Sequence, residues 1–408
     1  MSQNLEQLPV AVLGAGPIGI EAALALADAG RLFVLLEAGD RVAASVRRWG
    51  HVRLFTPWSL DVSPRLRRHL EAAGHVVPDS EECPTGAELS AQVLEPAARL
   101  PVVAEHLLLG LRVLEIGRRG LLKHEEIGSA ERGRRPFRLL VEDAAGRQST
   151  LEAAAVLDCT GTYDQPNALG EAGIAAPGES AAGERIVRHI PDLTVEADEW
   201  ASRRILLVGA GHSAQTAARD LAGLAEERPG TEVVWALRGE APPKPLPGDA
   251  LPDRARLARD AAELARGDGP LEMRRGVTVD AVEAPDDVSV PLRVWLRPMG
   301  NGTEPEMLEI DRILSLTGYV GDHRLYRQLQ VHECYATCGP IKLAAALLGS
   351  ASEDCLTAGG QDASTLVNPE PGFFILGSKS YGRNTTFLLR SGWRQVDDAL
   401  ALLAGEGS

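Results

Sequence analysis

The apolar positions of this chain fall into short runs separated by helix-forming segments. Residues 9–13 form a short apolar run that reads as a buried parallel strand. Residues 20–29 are rich in Ala and Leu, good helix formers, and stop at Gly30. A second apolar run, 32–36, ends in Glu37. The same succession returns at 205–208, 214–225 and 231–237, this time ending in Arg238. Strand, helix and parallel strand is the βαβ unit, so the pattern predicts an α/β protein with two such units.

The intervening pattern places further elements. Residues 137–142 and 149–152 read as strands around the turn Asp143-Ala144-Ala145-Gly146, a predicted hairpin. The run 155–158 enters Cys159-Thr160-Gly161, and 312–316 enters Thr317-Gly318-Tyr319. These two strand-to-Thr-Gly junctions, one after each unit, read as the two crossings between domains. Residues 241–269 are Pro-rich and then rich in Ala, Arg and Asp, which predicts a surface loop and a polar helix inserted in the second domain. An apolar strand at 373–376 precedes a polar loop and a helix over 385–403.

Glycines sharpen the two units into chemistry. In Gly14-Ala15-Gly16-Pro17-Ile18-Gly19, Gly14 allows the tight turn, Gly16 lets the backbone approach a pyrophosphate, and Gly19 lets helix and strand pack closely. The helix start at Pro17 then offers unpaired N–H groups to phosphate charge. Glu37, 18 residues beyond Gly19, is placed to accept ribose hydroxyls, which suits a free 2′-hydroxyl and repels a 2′-phosphate. In Gly209-Ala210-Gly211-His212-Ser213-Ala214, Ala214 takes the third glycine's place, as the fingerprint allows. Arg238 stands where the first unit has its acid, and its planar fork suits a 2′-phosphate. The expectation is a resident FAD in the first unit and NADPH in the second.

Composition narrows the field. With 408 residues and roughly 100–200 per domain, two or three domains are expected. The chain is 44% hydrophobic, enough for real cores. A net charge of −15 argues against a nucleic-acid backbone as partner. All but four of the 42 basic residues are arginine, so an isolated arginine carries little information by itself. Five cysteines (83, 159, 334, 338, 355) include no CxxC pair, so neither a metal site nor a disulfide framework is expected. No apolar stretch approaches a membrane span and the first eight residues carry no positive charge, so a cytoplasmic protein is expected.

Four motifs together resemble the two-dinucleotide-fold flavoproteins, and among them the flavin-dependent monooxygenases that use FAD and NADPH. They are the Gly14–Gly19 fingerprint with Glu37, Cys159-Thr160-Gly161-x4-Pro166, the Gly209–Ala214 fingerprint with Arg238, and Thr317-Gly318-Tyr319. The resemblance covers residues 9–320. It implies two Rossmann-like domains, the second inserted in the first: an FAD domain at 1–195 and 321–408, and an NADPH domain at 196–320. It also implies that Pro17, Thr160, Gly161, Ser213, Thr317 and Gly318 serve the cofactors. Departures exist: the family's Gly-Gly-x-Trp stretch is here Ala43-Ala44-Ser45 and then Arg47-Arg48-Trp49-Gly50. Of its FxGxxxHxxx(Y/F) signature only Gly183 and His189 remain.

Two segments are candidates for the reacting site. Residues 51–59 follow the first βαβ unit; in a chain only 4% aromatic, Trp58 beside Pro57 would wall a flat ring, with Thr56 and Ser59 beside it. The cluster Lys379, Ser380, Tyr381, Arg383 and Asn384 is too polar for a core and reads as contacting cofactor or substrate, although Asn384 would equally serve as a helix cap. The expected reaction is oxygenation of a small molecule at nitrogen or sulfur by O₂, through a C4a-(hydro)peroxide of the reduced flavin. Trp58, Ser59, Lys379, Arg383 and Asn384 would surround the reacting centre. A flavin-dependent disulfide or quinone reductase, with Cys334 and Cys338 as a dithiol, and a non-catalytic FAD-binding protein are the alternatives.

Overall fold

The computed structural model describes residues 5–245, 249–267, 269–300, 304–349 and 362–405. In chain order the strands are β1 (Val10–Leu13), β2 (Phe33–Leu36), β3 (Leu107–Leu108), β4 (Leu111–Arg118), β5 (Phe137–Asp143), β6 (Gln148–Ala153) and β7 (Ala155–Asp158). There follow β8 (Ile186–Val187), β9 (Arg204–Val208), β10 (Glu232–Ala236), β11 (Leu271–Arg274), β12 (Val277–Glu283), β13 (Leu292–Pro298), β14 (Glu306–Ile310), β15 (Arg312–Ser315) and β16 (Phe373–Ile375). The chain divides into two compact units, Met1–Gln165 with Val320–Ser408, and Pro166–Tyr319.

Each unit repeats one plan. The first holds a sheet in the order β16-β7-β1-β2-β3, with parallel pairing throughout, and a separate antiparallel sheet β4-β5-β6. The second holds a parallel sheet β11-β10-β9-β15-β8 and an antiparallel sheet β12-β13-β14. In both, the fingerprint follows a strand flanked on both sides by parallel neighbours, where loops at the strand C-termini leave a crevice. The helix Pro17–Asp28 is apolar nearly all round and buried from Ile18 to Leu26, packed between the first sheet and the C-terminal helix Leu389–Gly405. Gly392 makes that packing close, since a Cβ there would lie 2.4 Å from Ile18 Cδ1.

The sequence places the first domain boundary after residue 195, whereas the structure places it at Gln165/Pro166, inside the Thr-Gly junction. The chain engages the second unit directly after Gln165: Pro166 bridges to Tyr319, Gly170 bridges to Val279, the Val282 amide donates to the Pro177 carbonyl, and β8 then pairs with β15. Both crossings coincide with the Thr-Gly junctions. Within the second unit Thr317 Oγ1 donates to Asn167 O at 3.0 Å, and Asn167 Nδ2 donates to Thr317 O at 3.0 Å. The hairpin β5–β6 has the expected turn, with Asp143 Oδ1 accepting from the Ala145 and Arg147 amides.

The helix Pro252–Leu264 is amphipathic rather than wholly polar, because Leu257, Ala258 and Ala261 are buried on the side packed against the helix His212–Glu227. Part of the loop before it, 246–248, lies outside the described residues, as does Cys355. Among the described residues no helix is long and apolar enough to cross a membrane.

Candidate functional site

In the first unit the three fingerprint glycines meet three different constraints. Gly14 has φ +90°, and a Cβ there would sit 2.9 Å from the Cys159 carbonyl oxygen. Gly19 faces the opposite problem: a Cβ would lie 1.8 Å from the Gly14 carbonyl oxygen, so helix and strand could not approach. Around Gly16 there is nothing within 4 Å of the same position, which is open space facing a cavity. The helix starting at Pro17 has no side-chain cap, and the amides of Ile18 and Gly19 have no partner among the described residues. Free donors, a helix N-terminus and an absent side chain together make a seat for an anion such as a pyrophosphate.

That seat opens into a cavity of about 970 Å³ within the first unit. This is near the upper end of the roughly 300–1,000 Å³ of small-molecule sites, room enough for a dinucleotide. Gly14, Gly16, Pro17, Glu37, Thr160 and Gly161 all line it, together with Gly377 and Ser378 after β16. Glu37 closes the end of β2, is 9% exposed, and accepts from the Ala15 amide (Oε2, 2.8 Å) and the Gly39 amide (Oε1, 2.8 Å). A carboxylate offers about four acceptor positions, so capacity remains on both oxygens for ribose hydroxyls.

The cavity also takes residues that the sequence reading left unassigned. Trp49 and Tyr163 form an aromatic pair with ring centroids 6.4 Å apart, and both line it. Arg48 lies over the Tyr163 ring at 5.4 Å and pairs with Asp164 at 2.5 Å. From β4, which the pattern reading did not identify as a strand, Arg112 and Glu115 reach the same space. Asp322, Arg324 and Phe387 complete this set. The available signal was a tryptophan shortly after the ribose-binding acid and a tyrosine inside the Thr-Gly-x4-Pro segment.

The residues expected as walls of the reacting site, Thr56 to Ser59 and Lys379 to Asn384, do not line this cavity. None of Thr56, Pro57, Trp58 and Ser59 lines the cavity. Trp58 is 6% exposed, belongs to the main core of the unit, and opens the helical turn Trp58–Asp61. Thr56 Oγ1 donates to Asp61 Oδ1 at 2.6 Å, and Ser59 Oγ lies 3.1 Å from Glu81 at the surface. Burial pushes the Asp61 carboxyl up to about 7, against the Thr56 hydrogen bond, and its Oδ2 has no partner.

Residues 379–381 form a buried polar core rather than an exposed loop. Lys379, Ser380 and Tyr381 are 1%, 1% and 6% exposed and do not line the cavity, although Ser378 does. Their polarity is satisfied internally. Lys379 Nζ donates to Asp158 Oδ2, and Ser380 Oγ donates to the Gly377 carbonyl at 2.7 Å. The Gln395 side chain joins Ser380 Oγ to the Gly377 amide. Tyr381 packs edge-on against Phe387. Arg383 is exposed, and Asn384 Oδ1 accepts from the Thr386 amide and hydroxyl, so its side chain caps a turn.

The second unit repeats the fingerprint with one difference. Gly209 has φ +133°, and a Cβ there would lie 2.3 Å from the Leu316 carbonyl oxygen; the Gly211 position is open. Buried Trp235 donates from Nε1 to the Gly209 carbonyl at 2.9 Å, pinning the turn. Ala214 is fully buried, and the helix His212–Glu227 starts without a side-chain cap, with Ser213 exposed in its first turn. Arg238 is exposed two residues beyond β10 and has no ion-pair partner among the described residues. His212 is half-buried, and burial with the nearby Arg254 guanidinium lowers its imidazole's proton affinity. Thr317 and Gly318 are engaged with Asn167, and His189 is exposed.

Four cysteines are described, all with free thiols. Of these only Cys159 lines the cavity, and burial together with the neighbouring Asp158 charge raises its thiol well above the usual range, which keeps it protonated. Cys334 and Cys338 share one turn, in which the Cys338 amide donates to the Cys334 carbonyl at 2.8 Å.

No family model and no curated protein matches this chain. Solved structures do. It is similar to the bacillithiol disulfide reductase of Bacillus cereus at 19% identity over 98% of this chain and 99% of that one, with a TM-score of 0.69. It is also similar to DfoA of Erwinia amylovora, a cadaverine monooxygenase of desferrioxamine biosynthesis bound to FAD, at 13% identity over 98% and 94%, TM-score 0.63. A third is the ornithine hydroxylase PvdA of Pseudomonas aeruginosa, at 18% identity over 97% and 99%, TM-score 0.60. At these identities the likeness is one of fold: a two-dinucleotide-domain flavoprotein fold along nearly the whole chain.

Proposed function

We propose that this protein is an FAD-dependent oxidoreductase reduced by NADPH, acting as a monooxygenase on a nitrogen or sulfur atom of a small molecule. The observation that carries the cofactor assignment is the open space at Gly16 and the unpaired first-turn amides beneath it, facing a cavity closed at its end by Glu37. When bound, FAD supplies the two-electron chemistry between NADPH and the acceptor. The chain's own residues bind and orient. The helix start at Pro17 receives phosphate charge, Glu37 accepts from ribose hydroxyls, and Trp49, Tyr163 and Phe387 offer apolar faces to a flat ring. Gly211, Ser213 and Ala214 give the second unit the corresponding seat, and Arg238 supplies a cation for a 2′-phosphate.

The state of Cys159 argues only against Cys159 itself as a disulfide nucleophile, since hydrogen bonds from Thr337 and Ala336 hold the Cys334 thiol below its ordinary value. The one described cysteine that lines the cavity is held as a thiol, and the thiolate is the nucleophile in disulfide exchange. The second reading, a disulfide reductase, draws on the likeness to the Bacillus cereus enzyme and on Cys334 and Cys338 in one turn. Stoichiometry separates the two. Oxygenation predicts one O₂ consumed per NADPH in the presence of a substrate amine or thioether, with one oxygen atom in product and the other in water. Anaerobic oxidation of NADPH by a low-molecular-weight disulfide, abolished by Cys334→Ser or Cys338→Ser, would overturn it in favour of the dithiol reductase.

A further inference from the structure

A lysine inside a protein is costly unless it is paired and hydrogen-bonded. Lys379 is 1% exposed, and Asp158, its partner, is 0% exposed. Their Nζ–Oδ2 distance is 2.6 Å. The chain makes room for this pair: the Lys379 stem runs over Gly321, where a Cβ would lie 2.5 Å from Cγ, and the ammonium lies 5.1 Å from the centre of the Tyr326 ring. An apolar residue of similar length would fill the same volume without the desolvation cost, so packing alone does not account for the charge.

The direction of the hydrogen bonds does. Asp158 is the last residue of β7, directly before Cys159, Thr160 and Gly161, which all line the cavity. Thr160 is held from three sides. Its hydroxyl donates to Asp158 Oδ1 at 2.7 Å and accepts from Lys379 Nζ at 3.1 Å, and its amide donates to Asp158 Oδ1 at 3.1 Å. The hydroxyl is thus committed inward. Next to it, Gly161 adopts φ +69° and lines the cavity as well. We infer that Lys379 is a positioning residue which, with Asp158 and through Thr160, fixes the Thr160–Gly161 wall of the cavity in the attitude that binds FAD. The inference rests on the FAD reading above.

The test is FAD affinity, followed by flavin fluorescence on folded protein, in a double-mutant cycle. Lys379→Met and Thr160→Val each weaken FAD by about tenfold, the range of one hydrogen bond to a charged group. Because both act through the same hydroxyl, Lys379→Met/Thr160→Val is no weaker than Lys379→Met alone. Lys379→Arg, which keeps the charge and the donor, restores most of the affinity; a purely space-filling role would not distinguish Arg from Met in this way. If Lys379→Met fails to fold because Asp158 is left unpaired, Asp158→Asn/Lys379→Met removes both charges and carries the same expectation of about tenfold weaker binding. Wild-type affinity in a folded variant lacking Lys379, or losses that multiply in the cycle, would overturn the inference. A wild-type protein that takes up no FAD overturns the proposed function instead, so the two failures are distinguishable.

Discussion

The two units solve the same backbone problem and end it differently. Each has a strand, a glycine turn pinned against a neighbouring carbonyl, an open second glycine and a helix without a side-chain cap. They diverge at two places. The third position is Gly19 in the first unit, where a Cβ would strike the Gly14 carbonyl, and Ala214 in the second, where a Cβ is accommodated and fully buried. After the second strand stand Glu37, nearly buried and fixed by two amides, and Arg238, exposed and unpaired among the described residues. The difference teaches that one acid is fixed by two backbone amides, whereas the second unit presents an exposed cation at the corresponding place, the contrast expected if the first seat serves a resident ligand and the second an exchanging one.

The largest expected effect breaks that comparison at the third position. Gly19→Ala forces helix and strand apart and costs roughly 3 kcal/mol of stability. Ala214→Gly costs roughly 1 kcal/mol, from helix propensity and a lost methyl group. Denaturant unfolding of both variants checks the asymmetry. Next is Asp61, whose folded carboxyl titrates near 7 and whose unfolded one titrates near 3.8. The folded state therefore binds the extra proton, and stability falls as pH rises from about 4 to 7. Asp61→Asn removes this loss, on the order of 3 kcal/mol, so the variant melts higher than wild type at pH 8 and not at pH 4. Thermal melts across that window show whether the crossover exists.

Two smaller effects sharpen the comparison. Glu37→Gln turns an amide NH₂ toward a backbone N–H that now donates to a carboxylate, and costs about 2 kcal/mol of FAD binding, roughly thirtyfold, with NADPH binding unchanged. Arg238→Ala weakens NADPH about tenfold and leaves NADH unaffected, because the lost partner is the 2′-phosphate alone. Equilibrium binding of each nucleotide to each variant measures both. An equal loss for NADPH and NADH in Arg238→Ala would remove Arg238 from the specificity assignment.

Much of the scaffold was legible because it depends on local backbone constraints. Gly14 makes the turn and Gly19 the close packing that their spacing implies, Gly16 faces open space, and the Thr-Gly junctions mark both crossings. What escaped depends on tertiary packing. The single-residue bridges at Pro166 and Gly170 and the two-residue strand β8 are too short to leave a pattern, so the sequence places the domain boundary thirty residues late. Charged residues fall at every third position of β4 (Arg112, Glu115 and Arg118) rather than in the alternation of a half-buried strand, so neither the strand nor Arg112 and Glu115 stands out in the sequence. Trp58 stands out in the sequence only by rarity and is a core residue, whereas Trp49 lines the cavity. The 379–384 cluster looked too polar to bury because its partners, Asp158 and Gln395, lie far away in sequence.

The central claim is that the first unit holds FAD and that NADPH from the second reduces it. Its most direct test is an absorbance record of purified, FAD-loaded protein mixed with NADPH in the absence of oxygen. The account predicts a bound flavin whose visible band bleaches completely with one equivalent of NADPH. A protein that takes up no flavin, or a bound flavin that NADPH leaves oxidised, would contradict it.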